Sequence, residues 1–307
     1  MIAPLANAPA SLAPAIAPEA VVAKATLARQ RVQSITHQMT VIYVTIHDFL
    51  SENPVWRDWR RSPNAHPAFT DAEVLTVALM QGCLGVASLK RAYQIIATDF
   101  SAAFPRLPTY CQFIARLNPL SALIGRLIQQ ILPVLADDVY LMDSKPIPVC
   151  KPIRHGRARL LREDGAYFGK NTTGWYFGFK LHTIVHRTGV VIGAFLTAAN
   201  VSDGDLALAL AQAVDGGVLL ADRAYAGEAL GEQFLEQAEL LVITTKNCGV
   251  ANRPLISSLR ERIETTYSQL YARFVDRVLS RSFHGLWTTV KLKILHLNFC
   301  HAGLLTA

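Results

Sequence analysis

The spacing of apolar positions changes along this chain, and the change divides it in two. From Ala23 to Ser51 the apolar residues Val32, Ile35, Met39, Ile42 and Ile46 recur at helical spacing among Arg29, Arg31 and His37, which predicts one long helix. A break rich in Pro and Trp, ENPVWRDWRRSPNAHP, follows. Thr70 with Glu73 then reads as a capping box, in which hydroxyl and carboxylate satisfy free N–H groups, and it predicts a helix to about Leu84. Thr109 with Gln112 repeats the signal ahead of FIARLNPLSALIGRLIQQILPVLA. The first part of that stretch is either the reading helix of a helix-turn-helix unit or another packed helix.

From Asp138 the texture becomes short β-branched and aromatic runs separated by turns: VYLMDS, TGWYFGFKLHTIVHR, TGVVIGAFLTAA, GVLLADRAY and LLVITTKN. These predict five strands. Arg187-Thr188-Gly189 reads as a hairpin between the second and third, while the helices DGDLALALAQAV and EALGEQFLEQAEL separate the later ones. The expected fold class is α/β: a mixed five-stranded sheet flanked by helices, in ribonuclease-H-like order, preceded by an all-α N-terminal domain. The expected divisions are an Ala- and Pro-rich flexible arm over 1–22, a helical part over 23–135 and the sheet domain over 136–307. CKPIRHGRARLLREDGAYFGKN, between the first two strands, reads as a basic mobile loop near the substrate.

Composition narrows the function. The 307 residues are 51% hydrophobic, yet charge or Gly interrupts every apolar run before it could span a membrane. A net charge of +7 suits a polyanionic partner, because Lys and Arg release counterions condensed on nucleic acid. Five scattered cysteines without a CxxC pair argue against a zinc ribbon or a disulfide framework, and a reducing cytoplasm is the expected setting. The first twenty residues lack a basic n-region and an unbroken apolar core, so no signal peptide is expected. No Gly-rich phosphate loop and no GxSxG elbow appear, which leaves a nucleotide cofactor and serine-hydrolase chemistry unsupported.

The chemistry-bearing residues are acids. Asp143 ends the apolar run VYLM and Asp222 ends VLLA; one such Asp is an ordinary turn residue, but two in one sheet suggest a site at the strand ends. Glu264 flanks the stripe Ile263, Tyr267, Leu270 and Phe274, on a helix predicted to start near Ser257 or Ser258 with Ser258 and Glu261 as its capping box. The three acids lie 79 and 42 residues apart, room enough for them to converge from separate elements. An all-carboxylate set without His or Cys favours Mg²⁺ or Mn²⁺. Two such ions, roughly 4 Å apart, suit in-line displacement at phosphorus. Lys180 and His182 share one face of the second strand, and Lys145, Arg223, Tyr225 and Arg260 stand near the acids as candidate contacts to a DNA strand. His296, Cys300 and His301 lie in a strongly apolar stretch, which favours a packed C-terminal helix over a metal site.

The segments LMDSKPIPVCK, YFGFKLHTIVHRTGVVIGAFLTAANVSDGD, LLADRAYAG, IETTYSQL and RSFHGLWTTVKLKILHLNF, with LPTYCQFIARLNPL before them, resemble bacterial insertion-sequence transposases of the DDE type, most closely the insertion sequence 982 group. The resemblance runs from about residue 70 to the end. It implies a catalytic and metal-binding triad of Asp143, Asp222 and Glu264, binding of double-stranded DNA at terminal inverted repeats and target, and assembly as a homo-oligomer on paired ends. Related enzymes often carry a Tyr, Arg, Glu, Lys pattern on the last helix; Arg260 and Glu264 match it, whereas Ser257 and Tyr271 replace the outer members. Two other readings stand beside this one, a non-catalytic DNA-binding derivative and a nuclease of the same fold without transposition.

Overall fold

The computed structural model describes residues 18–60, 67–130, 135, 137–159, 161–171, 173–222, 225, 227–244, 249 and 252–306, with side chains of the first helix from residue 34 onward. That helix, α1 (Pro18–Glu52), begins inside the segment expected as an arm; residues 1–17 lie outside the described residues. Its buried stripe, Ile35, Met39, Ile42, Ile46 and Leu50, keeps the spacing seen in the sequence. A short helix α2 (Pro54–Arg57) follows, then α3 (Asp71–Cys83), α4 (Leu89–Asp99), α5 (Tyr110–Leu117) and α6 (Ser121–Gln130). Both capping signals are used. The Glu73 N–H donates to Thr70 Oγ1 at 3.2 Å and the Thr70 N–H to Glu73 Oε2 at 2.6 Å, while Gln112 Oε1 accepts from the Thr109 N–H at 3.1 Å. Almost all of α3 is buried, which marks it as the centre of the helical layer, with α1, α4 and α5 around it.

The remaining elements are β1 (Val139–Cys150), β2 (Tyr167–Asn171), β3 (Gly174–His186), β4 (Val191–Ala198), α7 (Asp203–Ala211), β5 (Gly217–Leu220), α8 (Glu228–Ala238), β6 (Leu240–Ile243), α9 (Arg253–Ala272) and α10 (Phe283–His301). The sheet has six strands rather than five, because part of the expected mobile loop is β2, paired antiparallel with the first half of β3. The alternation that would have announced it is masked: within β2 only Gly169 is buried. His155, in the short turn before it, packs its ring on Phe168 and Phe177. β2 and β4 share one edge of β3, and the order continues β3-β1-β5-β6, with β1, β5 and β6 parallel. The expected hairpin joins β3 to β4, with Gly189 at φ +100° where its N–H donates to His186 O.

Alternate residues of β1 serve two cores. Leu141 faces the helical layer together with Ile147, Leu181 and Val185, whereas Tyr140 and Met142 join Leu219, Leu240 and Val242 under α7 and α8. Helices therefore cover both faces. The core does not stop at the expected domain boundary near residue 135, since one apolar cluster runs from Ile35 through the sheet to Phe299. α10 packs against α6, α3 and α9, and is buried on nearly every side. Asn298 ties these layers together, accepting from Val191 N–H at 3.0 Å and donating to Val191 O at 2.8 Å and to Ile128 O at 3.5 Å. α9 starts at Arg253, earlier than the Ser258 box suggested, because Asn252 and Pro254 already form a helix start there. Among the described residues no helix is long and apolar enough to cross a membrane.

Candidate active site

Parallel pairing between β1 and β5 ends at Leu141 opposite Leu220. Asp143 and Asp222 each lie two residues beyond that last pair, so the two acids leave adjacent strands at the same level. Asp222 ends its strand as expected, but β1 continues past Asp143 to Cys150 by pairing with β3 alone. Beyond Leu141, β1 keeps its antiparallel partner β3 but loses β5, which opens the sheet at the acids, and α9 packs on β1 there. Arg260 Nη1 donates to Asp222 Oδ1 at 3.3 Å. One helical turn and three residues later, the buried Tyr267 hydroxyl donates to the Asp143 carbonyl at 2.8 Å and accepts from Thr183 at 2.8 Å. Tyr271 reaches Pro146 O at 3.3 Å.

Glu264 stands four residues after Arg260 and three before Tyr267 on α9. Its side chain is exposed. Among the described residues no three His, Cys, Asp or Glu side chains stand in a metal-holding group, so Glu264 is not closed onto the aspartates. Cations occupy the gap. Lys145 Nζ lies 3.1 Å from Asp143 Oδ2, and Arg260 acts on Asp143 as well as Asp222. Burial nonetheless dominates at Asp143 and pushes its carboxyl above the usual carboxylate range; Lys145, the Ser144 N–H and Arg260 oppose this. The Arg260 Nε is buried without a partner among the described residues, so the guanidinium keeps donor capacity.

Lys180 and His182 do share one face of β3, but the first residue of α7 covers that face. Lys180 Nζ donates to Asp203 Oδ1 at 3.2 Å and to Val201 O at 2.9 Å; His182 Nδ1 lies 3.5 Å from the same carboxylate oxygen and its Nε2 is 2.9 Å from Thr197 Oγ1. His182 is 2% exposed, and burial lowers its pKa to about 4, so the ring is neutral. Both side chains act on the site through Asp203. Tyr225 is likewise buried, and after burial itself the charges of Asp203, Asp143 and Asp222 raise its hydroxyl pKa, which locates the ring among three acids. Arg223 lies outside the described residues.

Asp203 is the residue sequence reasoning missed. Besides Lys180 and His182 it holds Ser144, whose hydroxyl donates to Asp203 Oδ1 at 2.8 Å, next along the chain from Asp143. In the sequence it reads as an ordinary acid in the first turn of a helix, and only the return of α7 onto β3 and β1 gives it partners. Tyr267 was legible only as part of a buried stripe. Tyr267→Phe is expected to cost about 1–2 kcal/mol in urea unfolding, by removing the donor that satisfies the Asp143 carbonyl. The His296 cluster is structural: the ring accepts from Arg273 Nε at 3.0 Å, and burial lowers its pKa to about 4.

Comparison with curated proteins and with solved structures returns no match. Residues 135–271, which run from the approach to β1 to the last turn of α9 and so include Asp143, Asp222 and Glu264, match the family model of the transposase DDE domain, and this supports a DDE transposase.

Proposed function

We propose that the chain is an insertion-sequence transposase, most like the insertion sequence 982 group, which binds the terminal inverted repeats of its element and catalyses divalent-metal-dependent DNA cleavage and strand transfer with Asp143, Asp222 and Glu264. The observation that carries this reading is the common level of Asp143 and Asp222 at the end of the β1 and β5 pairing, with Arg260 of α9 bonded to Asp222. The strand order supports a ribonuclease-H-like fold.

The donor set fits Mg²⁺ or Mn²⁺: the two aspartates and Glu264 offer carboxylate oxygens only, and the aspartates already attract Lys145 and Arg260, the behaviour of a site whose negative charge calls for cations. Two bound ions supply an activated attacking oxygen and a stabilised leaving oxygen. The chain's own residues orient the reaction. The Tyr267 hydroxyl fixes the β1 backbone at Asp143, the Asp203 network fixes Ser144 beside it, and Arg260 and Lys145 are free to exchange carboxylate for the phosphates of the scissile strand. In this reading the helical part and the basic segment around Arg154 and Arg157 position the element ends, and the protein works as a homo-oligomer on paired ends.

The test is cleavage and joining of labelled DNA carrying the element's ends, with Mg²⁺, Mn²⁺ or EDTA. Metal-dependent cutting and joining should vanish in Asp143→Ala, Asp222→Ala and Glu264→Ala while DNA binding persists. Wild-type activity in any one variant removes that acid from the triad, and binding without cutting by the wild type favours a non-catalytic DNA-binding protein.

A further inference from the structure

Away from the acids, a cavity of about 550 Å³ opens between the start of α4, the outer face of α5 and the segment from Val275 into α10. Ile114, Leu117, Leu286 and Val290 give it apolar walls beside the Tyr110 ring, with Asn118, Thr288 and Thr289 among its polar groups. Its charge is of one sign. Lys90, Arg277, Arg281 and Lys293 line it, and among the described residues no Asp or Glu does. Lys90 Nζ sits 6.0 Å from the centre of the Tyr110 ring, and Arg281 is exposed at the rim.

Lys293 is the least expected member. Only 5% exposed, it donates to Phe274 O and has no carboxylate within ion-pair distance among the described residues. Burial lowers its pKa to about 8, and Asp276 offsets this only at longer range. A buried ammonium without a counter-charge is costly, and a hydrogen-bond acceptor entering the cavity, such as a base carbonyl, would relieve part of that cost. The N-termini of α4 and α10 both open near the cavity and neither has an acid in its first turn, although Asp164 already accepts from the Phe283 N–H.

We propose that this cavity receives one unpaired nucleotide of a DNA strand, its base in the apolar interior beside Tyr110 and its phosphates on Lys90, Arg277 and Arg281. The inference rests on the DNA-processing reading above and adds a place where the duplex is opened. An apolar interior too large for a bare phosphate, an aromatic wall and an all-cationic rim together match a nucleotide, since a base buries its faces while its phosphate stays at the edge. In the chain the C-terminal part of the cavity's wall begins at Val275, three residues after the end of α9, the helix that carries Arg260.

The experiment uses the full chain in EDTA and follows fluorescence anisotropy of two labelled probes, a blunt duplex and the same duplex with a short 3′ overhang of thymidines. Wild type should bind the overhang probe at least about fivefold more tightly, the scale of stacking one base on an aromatic wall. Ile114→Trp, which fills the cavity, should lose this preference and keep the blunt-duplex affinity. Arg281→Gln should lower overhang affinity about threefold and make its salt dependence shallower by roughly one ion. If Ile114→Trp fails to fold in a melting experiment, the exposed pair Lys90→Gln and Arg281→Gln carries the test, and an undiminished preference there overturns the proposal. Absence of any preference in wild type, or its survival in a folded Ile114→Trp protein, also overturns it. So does tight binding of free thymidine monophosphate with no overhang preference. Equal binding of both probes leaves the transposase reading standing, whereas failure to bind either probe, with no metal-dependent cutting, removes that reading as well.

Discussion

Asp143→Asn is expected to abolish metal-dependent cleavage, by at least about a thousandfold or ~4 kcal/mol of transition-state stabilisation, and at the same time to make the metal-free protein more stable at neutral pH. Both effects come from one feature. The carboxylate is held mostly out of water, 21% exposed, and burial outweighs Lys145, the Ser144 N–H and Arg260 in setting its pKa. Because the folded pKa lies above the unfolded one, the folded state binds the proton more tightly than the unfolded chain does. The resulting stabilisation is fully present below the ordinary carboxylate pKa and is lost as the pH rises through the raised folded value. Thermal unfolding in EDTA over this pH range should therefore show a decline in wild type that Asp143→Asn lacks. A variant that is inactive and no more stable than wild type at neutral pH would mean that the charge of Asp143 is already compensated, leaving it no strain for a metal to relieve.

Asn298→Ala is expected to lower stability by about 3 kcal/mol, seen as a fall in melting temperature of roughly 5–10 °C. Asn298 is fully buried on α10 and bonds both backbone groups of Val191 in β4 as well as the last turn of α6. Removing it strands the Val191 N–H and carbonyl where water does not reach. The loss should appear as one cooperative transition moved downwards, since the same apolar cluster runs through the helical layer and the sheet. Two separate transitions would instead mean that residues 23–135 and 136–307 unfold as independent domains.

Strands and helices with a clear period were legible in the chain. VYLM and VLLA had to be buried strand runs followed by acids, and the capping boxes at Thr70 and Thr109 started helices where expected, because these signals depend on neighbours in sequence. β2 was not legible: its burial rests on Gly169 alone, and pairing with β3 rather than patterning makes it a strand. The start of α9 was misread because two helix-start signals compete within a few residues, and the one containing Pro254 prevails.

By itself the sequence determined that two aspartates follow buried runs, that an acid-bearing helix comes after them, and that the chain is basic enough to seek a polyanion. Tertiary structure alone decided how these parts meet. Register brings Asp143 and Asp222 to one level; the crossing of α9 brings Arg260 and Tyr267 to them; the return of α7 lets Asp203 engage Lys180 and His182, which in sequence read as candidate DNA contacts. The physical reason is range. Periodicity and capping depend on residues within a turn or two, whereas register, burial of charge and the cationic cavity beside Tyr110 depend on elements far apart in the chain.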